Sequence, residues 1–133
     1  LSRSPVMVLD GAHNPSGAQV LGEALELLQG RDIHAVVGML GHKDVDAALK
    51  SILPHCKSLS AVPVVNNTQT MPAEQLARLA RPLCPVVEVW EEPAQGVRAA
   101  LARCGPRDVL LICGSLYLAS HLRPFLLELA AEL

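Results

Sequence analysis

Pro5-Val6-Met7-Val8-Leu9-Asp10-Gly11-Ala12-His13-Asn14-Pro15-Ser16-Gly17 reads as a strand that runs through a polar turn into a helix. Pro5 to Leu9 is an apolar run of strand length. Gly11 can turn the chain at positive φ without a Cβ penalty. Asn14 is a good N-cap and Pro15 a favoured first helical residue. A helix starting there points unpaired backbone N–H groups at the strand end and attracts anions. Open α/β proteins build ligand sites at such junctions. A plain capped helix flanked by a solvated Asp10 and His13 has the same wording, so the weight falls on the rest of the chain.

Outward from this junction the pattern recurs. Ser16 to Gln29 carries Val20, Leu21, Ala24, Leu25, Leu27 and Leu28 at helical spacing, and Gly30 is placed to stop it. A second strand is expected over Ile33 to Met39. Asp44 is expected to cap a helix bearing Val45, Ala48, Leu49, Ile52 and Leu53, which Pro54 helps to end. Ser58 to Val65 reads as a third strand that Pro63 marks as an edge or cuts short. Met71-Pro72 opens a third helix, closed by Pro82 and Pro85. Val86 to Trp90 is the fourth strand, and Pro93 starts a helix that Gly105-Pro106 ends. Asp108 to Cys113 is the fifth strand, continuously apolar, as expected of a central strand covered on both faces. The last helix starts at Leu116 or Ala119 and runs to near Ala131.

Five βα units without a long linker or repeat predict a three-layer, doubly wound α/β domain with a mainly parallel, Rossmann-like sheet and right-handed crossovers. Strand order is not legible. The 133 residues suffice for one domain, 1–133. Half the residues are hydrophobic, yet Trp90, Tyr117 and Phe125 are the only aromatics, so the core must be aliphatic. A formal charge of −2 argues against a nucleic-acid surface. No apolar run reaches membrane-span length and no signal peptide opens the chain, so a soluble, cytoplasmic protein is expected. Cys56, Cys84, Cys104 and Cys113 lack C-x-x-C or paired-His spacing, so reduced structural thiols are expected and no bound metal. The chain begins at Leu1 almost directly with a strand, which reads as a piece of something longer.

Ligands of such sheets sit at the carboxyl edge, and three of its loops carry chemistry. After the first strand come Asp10, His13 and Asn14. The second strand leads into Gly38-Met39-Leu40-Gly41-His42-Lys43-Asp44, and the fifth into Gly114-Ser115-Leu116-Tyr117. The loops around Asn66-Asn67-Thr68 and Glu91-Glu92 read as ordinary solvated connections. Lys43 and His13 can supply positive charge, Ser115 and helix N-termini can donate hydrogen bonds, and Asp10 can accept from ribose hydroxyls. That set suits a carboxylate or phosphate ligand. His34, His55 and His121 read as structural or surface residues. The chain has no Gly-x-Gly-x-x-Gly after the first strand, no Gly-x-x-x-x-Gly-Lys-Ser/Thr and no Gly-x-Ser-x-Gly, which disfavours independent hydride transfer, phosphate-loop chemistry or serine hydrolysis.

Leu9-Asp10-Gly11-Ala12-His13-Asn14-Pro15, Gly38-Met39-Leu40-x-x-Lys43-Asp44 and Asp108 through Leu118, with Arg123 beyond, resemble in that order the motifs of folylpolyglutamate synthases and bifunctional dihydrofolate synthases. The resemblance implies the C-terminal domain of a Mur-ligase-type, ATP-dependent amide ligase. In that family a central domain, absent from this chain, carries the phosphate loop and Mg2+, and the C-terminal domain closes over it. A carboxylate of dihydropteroate or a folate is activated as an acyl phosphate, and the amine of L-glutamate displaces phosphate.

By that resemblance Asp10 and Asn14 contact ATP, His13 serves the phosphate and glutamate end as the catalytic residue, and Lys43, Ser115 and Tyr117 hold glutamate. The implied partners are small molecules and the intramolecular ATP-binding domain, with no nucleic acid and no membrane. His42 stands where the family often has Asp, and Asn66 to Met71 replaces a Pro-Arg-rich turn, which blurs the substrate. The alternatives are a stand-alone nucleotide or amino-acid binding module without catalysis, and a peptidoglycan-type Mur ligase domain.

Overall fold

Each apolar run must bury side chains to both sides, because successive residues of a strand point to opposite faces. The computed structural model, which describes residues 5–11, 15–28, 30–41 and 44–132, does so with a three-layer α/β architecture. Strands β1 (Val6–Leu9), β2 (Ile33–Val37), β3 (Ser58–Ala61), β4 (Val86–Val89) and β5 (Val109–Cys113) form one all-parallel sheet in the order β1-β5-β2-β3-β4. Helices α1 (Pro15–Glu26), α2 (Val45–Ile52), α3 (Ala73–Ala80), α4 (Pro93–Arg103) and α5 (Leu116–Glu132) each follow a strand.

Residue parity separates two cores. Ile33, Ala35 and Val37 of β2 and Val109, Leu111 and Cys113 of β5 face α1, α2 and α3. Val36, Leu110 and Ile112 face α4 and α5. From β1 to β4 the chain advances across the sheet with its helices on one face, then returns to β5 through α4 on the other. Reversing both direction and face gives every crossover the same hand, as βαβ chirality requires. All five residues of β2 and of β5 are buried, and both strands are hydrogen-bonded on two sides, as expected for β5. Edge strand β1 is only half covered.

Several boundaries differ from the sequence reading for identifiable reasons. β3 lies inside the sheet, and Pro63 marks an early end: the ladder stops at Ala61, with Val62 N–H donating once more to Val37 at 3.0 Å. β2 stops at Val37, because Gly38 begins the turn. α3 starts at Ala73, since Pro72 sits in extended geometry and Met71 N–H is committed to the Met39 carbonyl at 2.8 Å. Asp44 occupies the cap position of α2 but lies at φ 70, and its side chain makes no cap bond. α5 takes the earlier of its two expected starts and carries Pro124 inside it.

Gly114 has φ +109, and a Cβ there would overlap the Gly38 carbonyl oxygen. Gly30 also has positive φ, at +90, but faces open space. Gly30→Ala is therefore expected to cost about 1 kcal/mol, and Gly114→Ala at least twice that, about 2–3 kcal/mol, because backbone strain and overlap combine. Urea unfolding of the two variants checks this; equal losses would contradict it.

Candidate functional site

β5 is flanked on both sides by strands whose chains leave in the opposite direction. After β1 and β2 the chain passes to the α1 and α2 face, whereas after β5 it passes to α5 on the other. Such divergence opens a crevice above the carboxyl ends of the strands. The polar turns after β1, β5 and β2 belong to three adjacent strands and share that crevice.

Backbone contacts stitch the turns together. Asp10 N–H donates to the Ile112 carbonyl at 2.9 Å, which carries the β1–β5 ladder one residue further and fixes Asp10 at the rim. The next residue, Gly11, lies against Leu116, whose side chain occupies the space a Cβ would need. On the other side Gly38 N–H reaches the Cys113 carbonyl at 3.4 Å, and Gly114 packs on Gly38. Without side chains at these positions the three turns can approach as closely as neighbouring strands do.

Ser115 is 2 % exposed and caps α5: its Oγ accepts the Tyr117 N–H at 3.1 Å, and its carbonyl accepts the Ala119 N–H at 3.1 Å. A hydroxyl has one donor and two acceptor sites, so accepting the capping bond does not use the Ser115 O–H. Tyr117, 63 % exposed, stands at the same helix start. Below Asp10, a cleft of about 230 Å³ is lined by Leu9, Gly11, Leu116, Ala119, Ser120 and Arg123. Ser120 thus brings a hydroxyl, and Arg123 a guanidinium, to this cleft one and two turns along α5. Ser120 escaped the sequence reading because only helical periodicity from a known start would place it there. His13, Asn14 and Lys43 lie outside the described residues.

The connection after β3 is more than a solvated loop. Gly41 N–H donates to Gln69 at 2.6 Å, Met71 N–H to Met39 at 2.8 Å, and Leu40 and Thr70 form an antiparallel bridge. The segment is itself shaped by Asn66 at φ 60, by the Asn67 carboxamide accepting from Gln69 N–H at 2.8 Å, and by Thr70 Oγ1 accepting from Val64 N–H at 2.7 Å. Residues 66–71 therefore brace the turn that leads toward Lys43. The short-range signal was present in Asn67 and Thr70, but its target lies some thirty residues away.

No disulfide joins the cysteines. Cys113, at the end of β5, is pushed up to about 12 by burial and then by the Asp10 carboxylate, which places that negative charge close to the crevice floor. Burial raises Cys56 well above the ordinary thiol range, with smaller contributions from Cys113 and Cys84. Burial also raises Cys84, and it raises Cys104 to about 11 with help from Asp108. These are protonated, packed thiols. Among the described residues, three metal-ligating groups converge only at the amino edge, in Asp32, His34 and Asp108.

The sequence profile of the Mur ligase, glutamate ligase domain family matches residues 1–116. The chain belongs to this family. Folylpolyglutamate synthase of Lacticaseibacillus casei is 32% identical over 127 residues, covering 96% of this chain and 28% of that protein. E. coli FolC, solved in complex with DHPP and ADP, superposes with a TM-score of 0.83 at 29% identity, over 95% of this chain and 30% of its own. A bifunctional folylpolyglutamate synthase/dihydrofolate synthase solved with Mn, AMPPNP and L-glutamate gives a TM-score of 0.82 at 28% identity, over 95% of this chain and 30% of its own. This Mur ligase-type domain thus spans under a third of the length of these relatives. Its parallel five-stranded sheet is the α/β fold they share, and no helix among its described residues is long and apolar enough to cross a membrane.

Two stability measurements test the site's construction. Ser115→Ala should lose about 1 kcal/mol through the missing cap, and Ser115→Gly less; chemical denaturation reads both. A thiol whose folded value exceeds its unfolded value of about 8.5 stabilises the fold fully below that pH, and the contribution disappears as pH climbs through the folded value. For Cys113 the window runs from about pH 9 to about 12. The urea midpoint of the native chain should fall through it, and Cys113→Ala should fall less steeply by up to about 1.4 kcal/mol per pH unit.

Proposed function

We propose that this domain is the C-terminal part of an ATP-dependent amide ligase that adds L-glutamate to dihydropteroate, to folates, or to both. The observation that carries the reading is the adjacency of the three polar turns around the carboxyl end of β5. Family membership supports it, as do structural relatives solved with ADP and DHPP and with Mn, AMPPNP and L-glutamate.

In this reading a central domain outside the 133 residues binds the nucleotide phosphates, and closure of the C-terminal domain completes the site and excludes water. The pteroate or folate carboxylate takes the γ-phosphoryl group of ATP, giving an acyl phosphate and ADP. The glutamate amine then attacks the acyl carbon, phosphate leaves, and the nitrogen loses a proton as the amide forms. A bound Mg2+ would supply charge neutralisation for the phosphoryl transfer. The described carboxyl-edge residues offer no convergent set to hold it, so its ligands are assigned to the other domain.

This chain's own groups orient the reactants. Asp10 accepts hydrogen bonds from the ribose hydroxyls of ATP, and Asn14 adds a further nucleotide contact. His13 serves the junction of phosphate and glutamate. Lys43 pairs with a glutamate carboxylate, Ser115 donates its free O–H to the same anion, and Tyr117 flanks it at the helix start. The anion-attracting N-terminus of α5 lies behind Ser115 and Tyr117.

The reading predicts no substrate-dependent phosphate release by the 133-residue chain given ATP, L-glutamate and dihydropteroate or tetrahydrofolate. A longer protein including the phosphate-loop domain should release phosphate in a glutamate-dependent way. Asp10→Ala should cut its kcat/KM for ATP by about tenfold or more, and Lys43→Ala should raise its KM for glutamate by a similar factor. Turnover by the short chain alone overturns the proposed division of labour. Tight ATP binding by the short chain, lost in Asp10→Ala, with no ligation by the longer protein assigns a binding module instead.

A further inference from the structure

At the amino edge of the sheet, opposite the crevice, Asp32 and His34 stand two residues apart at the start of β2 and so point to one face. Asp108, just before β5, shares that face: Val109 N–H donates to the Asp32 carbonyl at 2.9 Å, which holds the two strand starts side by side. One nitrogen of His34 and one carboxylate oxygen from each aspartate lie within 4.8 Å of one another.

His34 is 5 % exposed. Its Nδ1 is tied to Ser58 Oγ at 2.7 Å, which sets the ring plane and aims Nε2 at the carboxylates. Nε2 is buried and has no hydrogen-bond partner, and the Asp108 oxygen nearest to it is 3.6 Å away, beyond hydrogen-bond reach. The Asp108 oxygen nearest to Nε2 also accepts the Gly105 N–H at 2.7 Å, which fixes its position beside the imidazole. A buried imidazole nitrogen left unpaired is costly, and here it faces two acceptor-only groups. A cation satisfies all three at once.

We propose that Asp32, His34 and Asp108 bind one divalent transition cation of the zinc class. One imidazole and two carboxylates are a borderline donor set for such ions, and their two negative charges balance a dication. The Ser58 bond to Nδ1 is the outer partner that orients a ligating histidine. Ligand atoms about 2.1 Å from a tetrahedral ion lie about 3.4 Å apart, so the cluster contracts by rotation of the exposed Asp32 side chain. Lys57, whose Nζ is 3.5 Å from Asp32, is the competing charge and swings away on binding. The ion ties β2 to β5 at the end remote from the crevice, a structural role independent of the ligase reading. The ligands come from points 74 residues apart and have no recognisable spacing, which is why the sequence predicted no metal.

The test titrates Co2+ and Zn2+ into the full 133-residue chain. Expected are one Co2+ per chain with visible d–d bands and no thiolate charge-transfer band, a thermal midpoint that rises with Zn2+, and an Nε2 resonance of His34 that shifts on binding. Asp32→Asn, which alters an exposed side chain, and His34→Gln should each weaken binding about tenfold or more, and Lys57→Gln should strengthen it. Should His34→Gln unfold, Asp32→Asn and Lys57→Gln decide. Absence of saturable binding, a cobalt–thiolate band, or affinity unchanged in Asp32→Asn and Lys57→Gln overturns the proposal.

Discussion

The carboxyl edge depends on one close approach, the backbone of Gly114 lying on the carbonyl of Gly38. β5 is the last strand made, yet it enters between β1 and β2, and its outgoing turn must pass between two turns already present. Two glycines facing each other, with a third at Gly11 beneath Leu116, remove the side chains that would hold these turns apart. The crevice, the start of α5 and the position of Asp10 beside Ile112 all follow from that fit.

The two edges of the sheet handle polar groups in different ways. At the carboxyl edge, a buried serine caps the start of α5 beside the exposed Tyr117. At the amino edge, His34 is buried and Asp108 half-buried, and their polar atoms are tied to Ser58 and Gly105. Between them the sheet interior is aliphatic, and its cysteines act as small apolar residues whose protons are held by burial. The charge of Asp10 adds to the effect of burial at Cys113, at the end of β5.

Much of the local architecture was readable because its causes are local. Apolar runs, Pro93 at a helix start and the unbroken Val109-Leu110-Leu111-Ile112 each act over a few residues, whereas α1 ends at Glu26, ahead of the stop that Gly30 marks. Errors arose where a residue's partner was distant. Pro63 allowed either an edge strand or an early end, and the interior place of β3 leaves the early end after Ala61. Asp44 looked like a cap but took a left-handed backbone, and its side chain makes no cap bond. The loop around Asn66-Asn67-Thr68 looked like a plain solvated connection, yet it continues into Gln69 and Met71, whose backbone bonds to Gly41 and Met39 support the neighbouring turn.

By itself, then, the sequence determined that five βα units would make a parallel sheet with an aliphatic core, and that Asp10, Ser115 and Tyr117 would stand at strand ends. Those properties follow from periodicity, turn chemistry and chain direction. Tertiary structure alone decided that β5 lies between β1 and β2, that residues 66–71 brace a neighbouring turn, and that Asp32, His34 and Asp108 meet. Strand order is set by how whole helices and strands share two buried faces. No short stretch of sequence carries that sum.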